Sequence, residues 1–300
     1  MKLPMICGRF FFVAFLFLAY LELAPNALAQ YGGGGGMQQQ QQQEQPPPSL
    51  KQQPQQRQPA ITGVQPPGDA PKEDPEEQKA YKDFHSLKSD QVDQEIQLGE
   101  AFVQKYPTSK YTEIVYSRLV AAYFGKQQFD KMYAAADKAL ALNDKDVVVL
   151  TLVGWVIPHS YDPNDIDAER KLDKAESYEK HALEALSTLE KPADMSDSDF
   201  AKAKTEKASM AHSGLGLVYF RRQQFAESAK ELEQAVQLAP KPDPVDFYVL
   251  GIDYTQTKRF SDAADAFQKC AAQPSGLAAT CKQRTDQAKK DAASQPAPPK

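Results

Sequence analysis

The chain has 300 residues, 41% of them hydrophobic, and a formal net charge of −5 at pH 7. That balance supplies no basic field for nucleic acid and argues against nucleic-acid binding. Gln, Gly and Pro crowd the first quarter, which leaves about 215 residues for a fold, ample for one elongated array.

Lys2 and Arg9 precede an uncharged apolar run, Phe10 to Leu21, followed by Glu22, Pro25 and the small-residue triplet Ala27-Leu28-Ala29. This is the pattern of a secretory signal peptide, residues 1–29, with cleavage expected between Ala29 and Gln30. The run is shorter than the roughly 20 apolar residues of a membrane span, and an uncleaved anchor is the alternative. Cys7 precedes the run instead of ending it, so it does not fit a lipid-bearing cysteine. Export implies a periplasmic or extracellular location, with no membrane contact after cleavage.

Residues 30–74 hold Gly32 to Gly36, Gln38 to Gln43 and Pro46 to Pro48. With almost nothing to bury, such a segment cannot offset its ordering entropy and is expected to be a disordered spacer; a tether that self-associates through Gln is the alternative. Folded structure is expected over 75–293, with a disordered Pro-rich tail, 294–300.

Pro75 to Tyr111 predicts two helices. Ala80, Tyr81, Phe84 and Leu87 lie at helical spacing on the first, and Val92, Ile96, Ala101, Phe102 and Tyr106 on the second, which Pro107 stops. From Glu113 the order Tyr116, Leu119, Tyr123, Phe129, Ala139 begins a pattern that continues with Leu150 and Val153-Gly154. The pattern is written out most fully as Leu215-Gly216, Tyr219, Phe225, Ala235, Pro240 and again as Leu250-Gly251, Tyr254, Phe260, Cys270, Pro274, with the two Leu-Gly pairs 35 residues apart. A Leu-Gly-x-x-Tyr core, a large apolar residue six positions on and a small residue ten further describe two antiparallel helices.

These residues resemble the tetratricopeptide repeat family, whose units are helix-turn-helix pairs of about 34 residues. The resemblance implies an all-α helical solenoid of about four to five helix pairs plus a capping helix, which the N-terminal signal pattern places in an exported bacterial protein. One helix pair leaves an apolar flank uncovered, so several must stack.

The array departs from the family after Trp155. Val156 to Asp167, with Pro158 and Pro163, replaces a short turn, and Ala168 to Leu189 then predicts a long helix with Leu172, Ala175, Tyr178, Ala182 and Leu186 on one face. Ser196 with Asp199, or else Ser198, caps the next helix, which is lengthened at its start. A final helix, Leu277 to about Ala293, suits a solvating cap. Cys270 and Cys281 are too far apart to bond along one continuous helix, where eleven residues rise roughly 16 Å. The break at Pro274-Ser275-Gly276 folds the chain back, and the expected disulfide there contributes about 2–3 kcal/mol in an oxidising compartment. Two free buried thiols are the alternative.

Candidate chemistry is sparse. The loop Asp162 to Glu169 superficially suggests calcium, but it lacks the Gly at its sixth position and puts Ile166 where an oxygen ligand belongs. His85, His159, His181 and His212 are scattered without a second ligand at metal spacing. His212 takes an early helix position where the family often keeps Trp, which points to packing. No Gly-x-Ser-x-Gly elbow or phosphate loop occurs. No catalytic residue, metal site or cofactor is expected, and the chain is read as no enzyme.

What remains is a surface. The resemblance implies a concave groove lined by the first helix of each unit, which carries over to Ile114, Ser117, Ala121, Phe124 and Gly125; to Val148, Thr151 and Trp155; to Met210, Ser213, Leu217, Phe220 and Arg221; and to Val245, Tyr248, Ile252, Thr255 and Gln256. The leading ligand-binding candidates are Phe124, Trp155, Leu217, Phe220, Arg221, Tyr248, Ile252 and Gln256. Lys and Asn residues that clamp a terminal carboxylate in chaperone-type members are missing. The function implied is a non-catalytic scaffold of the cell envelope that binds a protein or peptide; self-assembly, and glycan binding around Trp155 and Tyr161, are the alternatives.

Overall fold

A computed structural model describes residues 74–192 and 195–295. The expected signal peptide, the linker up to residue 73 and positions 296–300 of the expected tail lie outside the described residues. Within them the chain forms eleven helices and no strand: α1 (Pro75–His85), α2 (Val92–Lys105), α3 (Thr112–Gly125), α4 (Phe129–Leu142), α5 (Val147–His159), α6 (Ala168–Thr188), α7 (Asp197–Arg221), α8 (Phe225–Leu238), α9 (Pro244–Gln256), α10 (Phe260–Ala271) and α11 (Ala278–Ser294). Consecutive helices pair as antiparallel hairpins, α1 with α2 through α9 with α10, and α11 covers the end of the stack.

Local chemistry explains where the helices start. Asp74, expected to be the last linker residue, accepts from Glu76 N and caps α1, with Pro75 at the first helical position. Asp146 accepts from Val148 N and Val149 N to cap α5, and Asp243 accepts from Val245 N to cap α9 ahead of Pro244. Of the two serines proposed to cap α7, Ser196 does so, accepting from Asp199 N while its hydroxyl donates to the Asp199 carboxylate at 2.7 Å.

Three hairpins share one turn. Gln127, Gln223 and Lys258 lie in the left-handed region at φ 58°, 59° and 59°. The residue after each donates its N–H back across the turn: Gln128 to Tyr123 O, Gln224 to Tyr219 O and Arg259 to Tyr254 O. This closes the first helix in the manner usual for glycine, here with side chains that tolerate the conformation at a cost.

The same three units repeat a polar contact. The motif tyrosine, expected only to fill the groove between helices, also donates its hydroxyl to a glutamate of the preceding hairpin: Tyr123 to Glu100 at 2.8 Å, Tyr219 to Glu176 at 3.2 Å and Tyr254 to Glu233 at 2.7 Å. Each bond ties one unit to the one before it. Burial and the neighbouring carboxylate raise the pKa of all three phenols, so they remain donors.

The buried apolar residues fall into clusters spaced along the row. Phe84, Leu119, Met132, Val149 and Val153 lie in one cluster, and Leu232, Leu250, Phe267 and Cys270 in another. At the first hairpin, Tyr81 stacks on Tyr111 with ring centroids 3.9 Å apart, and Arg118 reaches the Glu95 carboxylate at 2.6 Å. Ala101, assigned to the apolar face of α2, is exposed, and Gly99 takes the buried position against Leu119 and Phe84. At the other end Cys270 and Cys281 form the disulfide between α10 and α11, with Cα atoms 5.9 Å apart.

Candidate interaction site

The region after Trp155 differs from the sequence reading. α5 continues through Val156 and Ile157 to His159, with Pro158 in its last turn. Pro158 has no N–H to give to the Gly154 carbonyl, and Val156, Ile157 and Pro158 are all buried. The true connection is only residues 160–167. Its acidic residues are engaged within the chain: Asp162 accepts from Asn164 N at 2.9 Å, and Asp165 and Asp167 pair with Lys171 and Arg170. Ile166 is 99% exposed.

α7 packs directly on both α5 and α6, and packing between neighbouring helices all along the row covers several of the predicted groove residues. Thr151 and Ser213 are buried; Thr151 Oγ1 donates to Val147 O at 2.7 Å, and Ser213 Oγ donates to the Asp246 carboxylate of α9 at 2.7 Å. Leu217, Phe124 and Tyr248 are 2%, 7% and 7% exposed, so they belong to the core and not to an open lining. Tyr248 lies against Phe267, with ring centroids 6.0 Å apart. The remaining candidates stay accessible: Trp155, Phe220, Arg221 and Ile252 are half-buried, and Gln256 is exposed.

Four of these candidates, with three residues the groove assignment omitted, converge where the C-terminal ends of α3, α5 and α7 come together. Phe124 meets Trp155 edge-on at 6.2 Å. Trp155 lies 3.7 Å from the His159 ring one turn later, and His159 Nδ1 is 2.7 Å from Trp155 O. Because a carbonyl only accepts, Nδ1 carries the proton and Nε2 is an acceptor. His159 Nε2 is covered and has no partner among the described residues. Burial, reinforced by the Arg221 charge and opposed by the bond to Trp155 O, pushes the His159 pKa down to about 4, so the ring is neutral at physiological pH. Arg221 Nε donates to Pro158 O at 3.1 Å, and its guanidinium carbon lies 5.6 Å from the Tyr161 ring centroid and 6.0 Å from that of Phe220.

A second polar centre was missed by sequence reasoning. Glu179 of α6 is fully buried between α5 and α7, and neither carboxylate oxygen has a partner among the described residues. It occupies a notch made by two glycines: a Cβ at Gly154 would come within 2.6 Å of its carboxyl carbon, and one at Gly214 would run into Oε1. Burial raises the Glu179 pKa well above the carboxylate range, with the Lys207 charge of α7 opposing it. Lys207 is itself held below its ordinary value by burial. The sequence carried a signal: Glu179 falls in step with Leu172, Ala175, Ala182 and Leu186, whereas Tyr178, assigned to that stripe, is only half-buried. His212, read as a packing residue, instead pairs with Glu231 at 2.7 Å.

Stacked helix pairs, a shared turn and the Tyr to Glu ties between units define a tetratricopeptide-repeat solenoid, a class that serves as a protein-interaction scaffold. The tetratricopeptide repeat family's sequence model matches residues 209–242, which span the second half of α7, α8 and the turn after it. Among solved structures, a thermophilic tetratricopeptide-repeat protein of Thermus thermophilus is 16% identical, with a TM-score of 0.45, and the match covers 71% of this chain and 99% of that one. MamA of Desulfovibrio magneticus RS-1 is also 16% identical, with a TM-score of 0.42, covering 66% of this chain and 94% of that one. No curated protein matches the chain.

Proposed function

We propose that the chain is a non-catalytic scaffold, exported to the cell envelope, that docks a protein or peptide along the row of first helices α3, α5, α7 and α9. The observation carrying this reading is the half-buried group Trp155, Phe220 and Arg221, continued by Ile252 and Gln256. These side chains belong to the binding positions of the repeat, and the core leaves them accessible. Aromatic and Arg side chains with partial cover are the residue types that dominate protein interfaces. Export is supported by the apolar run and Ala27-Leu28-Ala29 triplet of the N-terminus, and by a Cys270–Cys281 bond that persists in an oxidising compartment.

Site-specific photo-crosslinking tests the reading. A photoreactive residue at Gln256 should capture a defined protein in the native envelope, and one at the exposed Lys230 of α8 should not. Equal capture from both positions, or capture from Lys230 alone, contradicts docking on the first helices. A concentration-dependent adduct of the chain with itself would move the reading to self-assembly.

A further inference from the structure

Arg221 and Arg222 are neighbours in sequence with opposite surroundings. Arg222 is met by three carboxylates of α6, those of Glu169, Asp173 and Glu176. Arg118, Arg170 and Arg259 each pair with at least one carboxylate, and Arg284 lies exposed. Among the described residues Arg221 is the half-buried guanidinium that meets no carboxylate. Its surroundings are the Pro158 carbonyl and the rings of Tyr161 and Phe220. Burial lowers its pKa, and the Tyr161 hydroxyl is the group that opposes this.

A cation partly removed from water without a counter-ion is an unsatisfied charge. Aromatic faces compensate a guanidinium in part, and the Nε bond to Pro158 fixes its plane. With Nε used, Nη1 and Nη2 form the end-on fork that matches the two oxygens of one carboxylate. His159 Nε2, an acceptor in the same cluster, is the second unsatisfied polar group there.

We propose that Arg221 anchors an acidic side chain of an extended peptide partner, whose carboxylate pairs with the guanidinium while the adjoining peptide lies across Trp155 and Phe220. This rests on the groove reading above and names the chemistry of its ligand. One guanidinium balances the single charge of a carboxylate. The Lys and Asn donors that would hold a chain terminus are missing here, so the source is a side chain.

The chain's single tryptophan, Trp155, reports on the site directly. The full chain is titrated with a pentapeptide, Ala-Glu-Phe-Glu-Ala, blocked at both ends, with its Gln-for-Glu analogue, and with that analogue unblocked. The proposal expects saturable change of Trp155 emission by the blocked acidic peptide, at least tenfold weaker binding of the blocked Gln analogue, and weakening in 0.5 M salt. Arg221→Gln should lower affinity for the acidic peptide about tenfold or more, with Arg221→Lys between the two, at an unchanged melting temperature. Should Arg221→Gln fail to fold, the comparison of acidic and Gln peptides on the unaltered chain decides. Equal affinity for both, or an undiminished Arg221→Gln, overturns the proposal, as does tighter binding of the unblocked peptide, which would assign a terminal carboxylate. If no peptide moves Trp155 emission but Gln256 still crosslinks a partner, the acidic anchor falls and the groove reading stands; loss of both removes both.

Discussion

Two kinds of notch run along the same array, and they differ in what fills them. In the α7–α8 and α9–α10 hairpins a glycine of the first helix receives an apolar side chain of the second: Leu232 fills the space at Gly216, and the Phe267 ring that at Gly251. At the α5–α6–α7 junction the filler is a carboxyl, Glu179, and it serves two glycines on two helices. Apolar filling contributes transfer free energy and dispersion at once, whereas a carboxyl without partners must surrender its charge to be buried. The two apolar notches therefore stabilise the hairpins they close, although the same half of the molecule also buries Asp246 and Asp253 on α9. The junction, which also carries Trp155, His159 and Arg221, keeps unsatisfied polar groups where the proposed docking residues lie.

The largest effect should follow from emptying an apolar notch. Phe267→Ala removes a fully enclosed ring and should cost about 3–5 kcal/mol, read as a lower urea midpoint. Opening the Cys270–Cys281 bond by Cys270→Ser with Cys281→Ser should cost about 2–3 kcal/mol, with lost hydrogen-exchange protection concentrated in α11. Gly154→Ala presses a methyl onto the enclosed Glu179 and should cost about 1–3 kcal/mol. The smallest effect concerns the shared turn: Gln223→Gly relieves a left-handed residue and should raise stability by up to about 1 kcal/mol, seen as a small increase in melting temperature.

Three buried acids make stability fall as pH rises, opposed below the ordinary histidine range by the buried neutral His159. Burial, with the nearby Asp243, raises Asp246 to about 8, and burial raises Asp253 to about 7, each partly countered by the serine hydroxyl it accepts from, Ser213 or Ser228. Burial also raises Glu179 well above the carboxylate range, and it has no such donor among the described residues. A carboxyl whose pKa is higher folded than unfolded keeps its proton on folding. The unfolded chain releases these protons near pH 4, so stability from these groups is greatest below that and falls as pH climbs through about 8.

Most of the architecture was readable because it rests on local rules. The Leu-Gly-x-x-Tyr pattern placed the hairpins, Ser196 or Ser198 marked the start of α7, and the break at Pro274 to Gly276 placed the two cysteines face to face. The groove was only half readable. Packing between neighbouring helices buries Thr151 on α5, Ser213 against Asp246 of α9, and Leu217 in the cluster with Leu232 and Phe247. Glu179 was hidden by its type: on a helix with many charges it reads as one more solvated carboxylate, although its register put it on the apolar stripe. The Tyr to Glu ties link residues of different hairpins, which no periodicity within one helix reports.

The contrast between apolar and carboxyl filling is tested most directly by replacing Glu179 with methionine, which has similar length and no charge, and measuring urea denaturation of both chains at pH 5 and pH 9. The unaltered chain should lose stability between the two pH values. Glu179→Met should lose less and should exceed the unaltered chain at pH 9. A methionine variant with the same pH dependence, or one less stable at pH 9, would contradict a neutral carboxyl confined in the double-glycine notch.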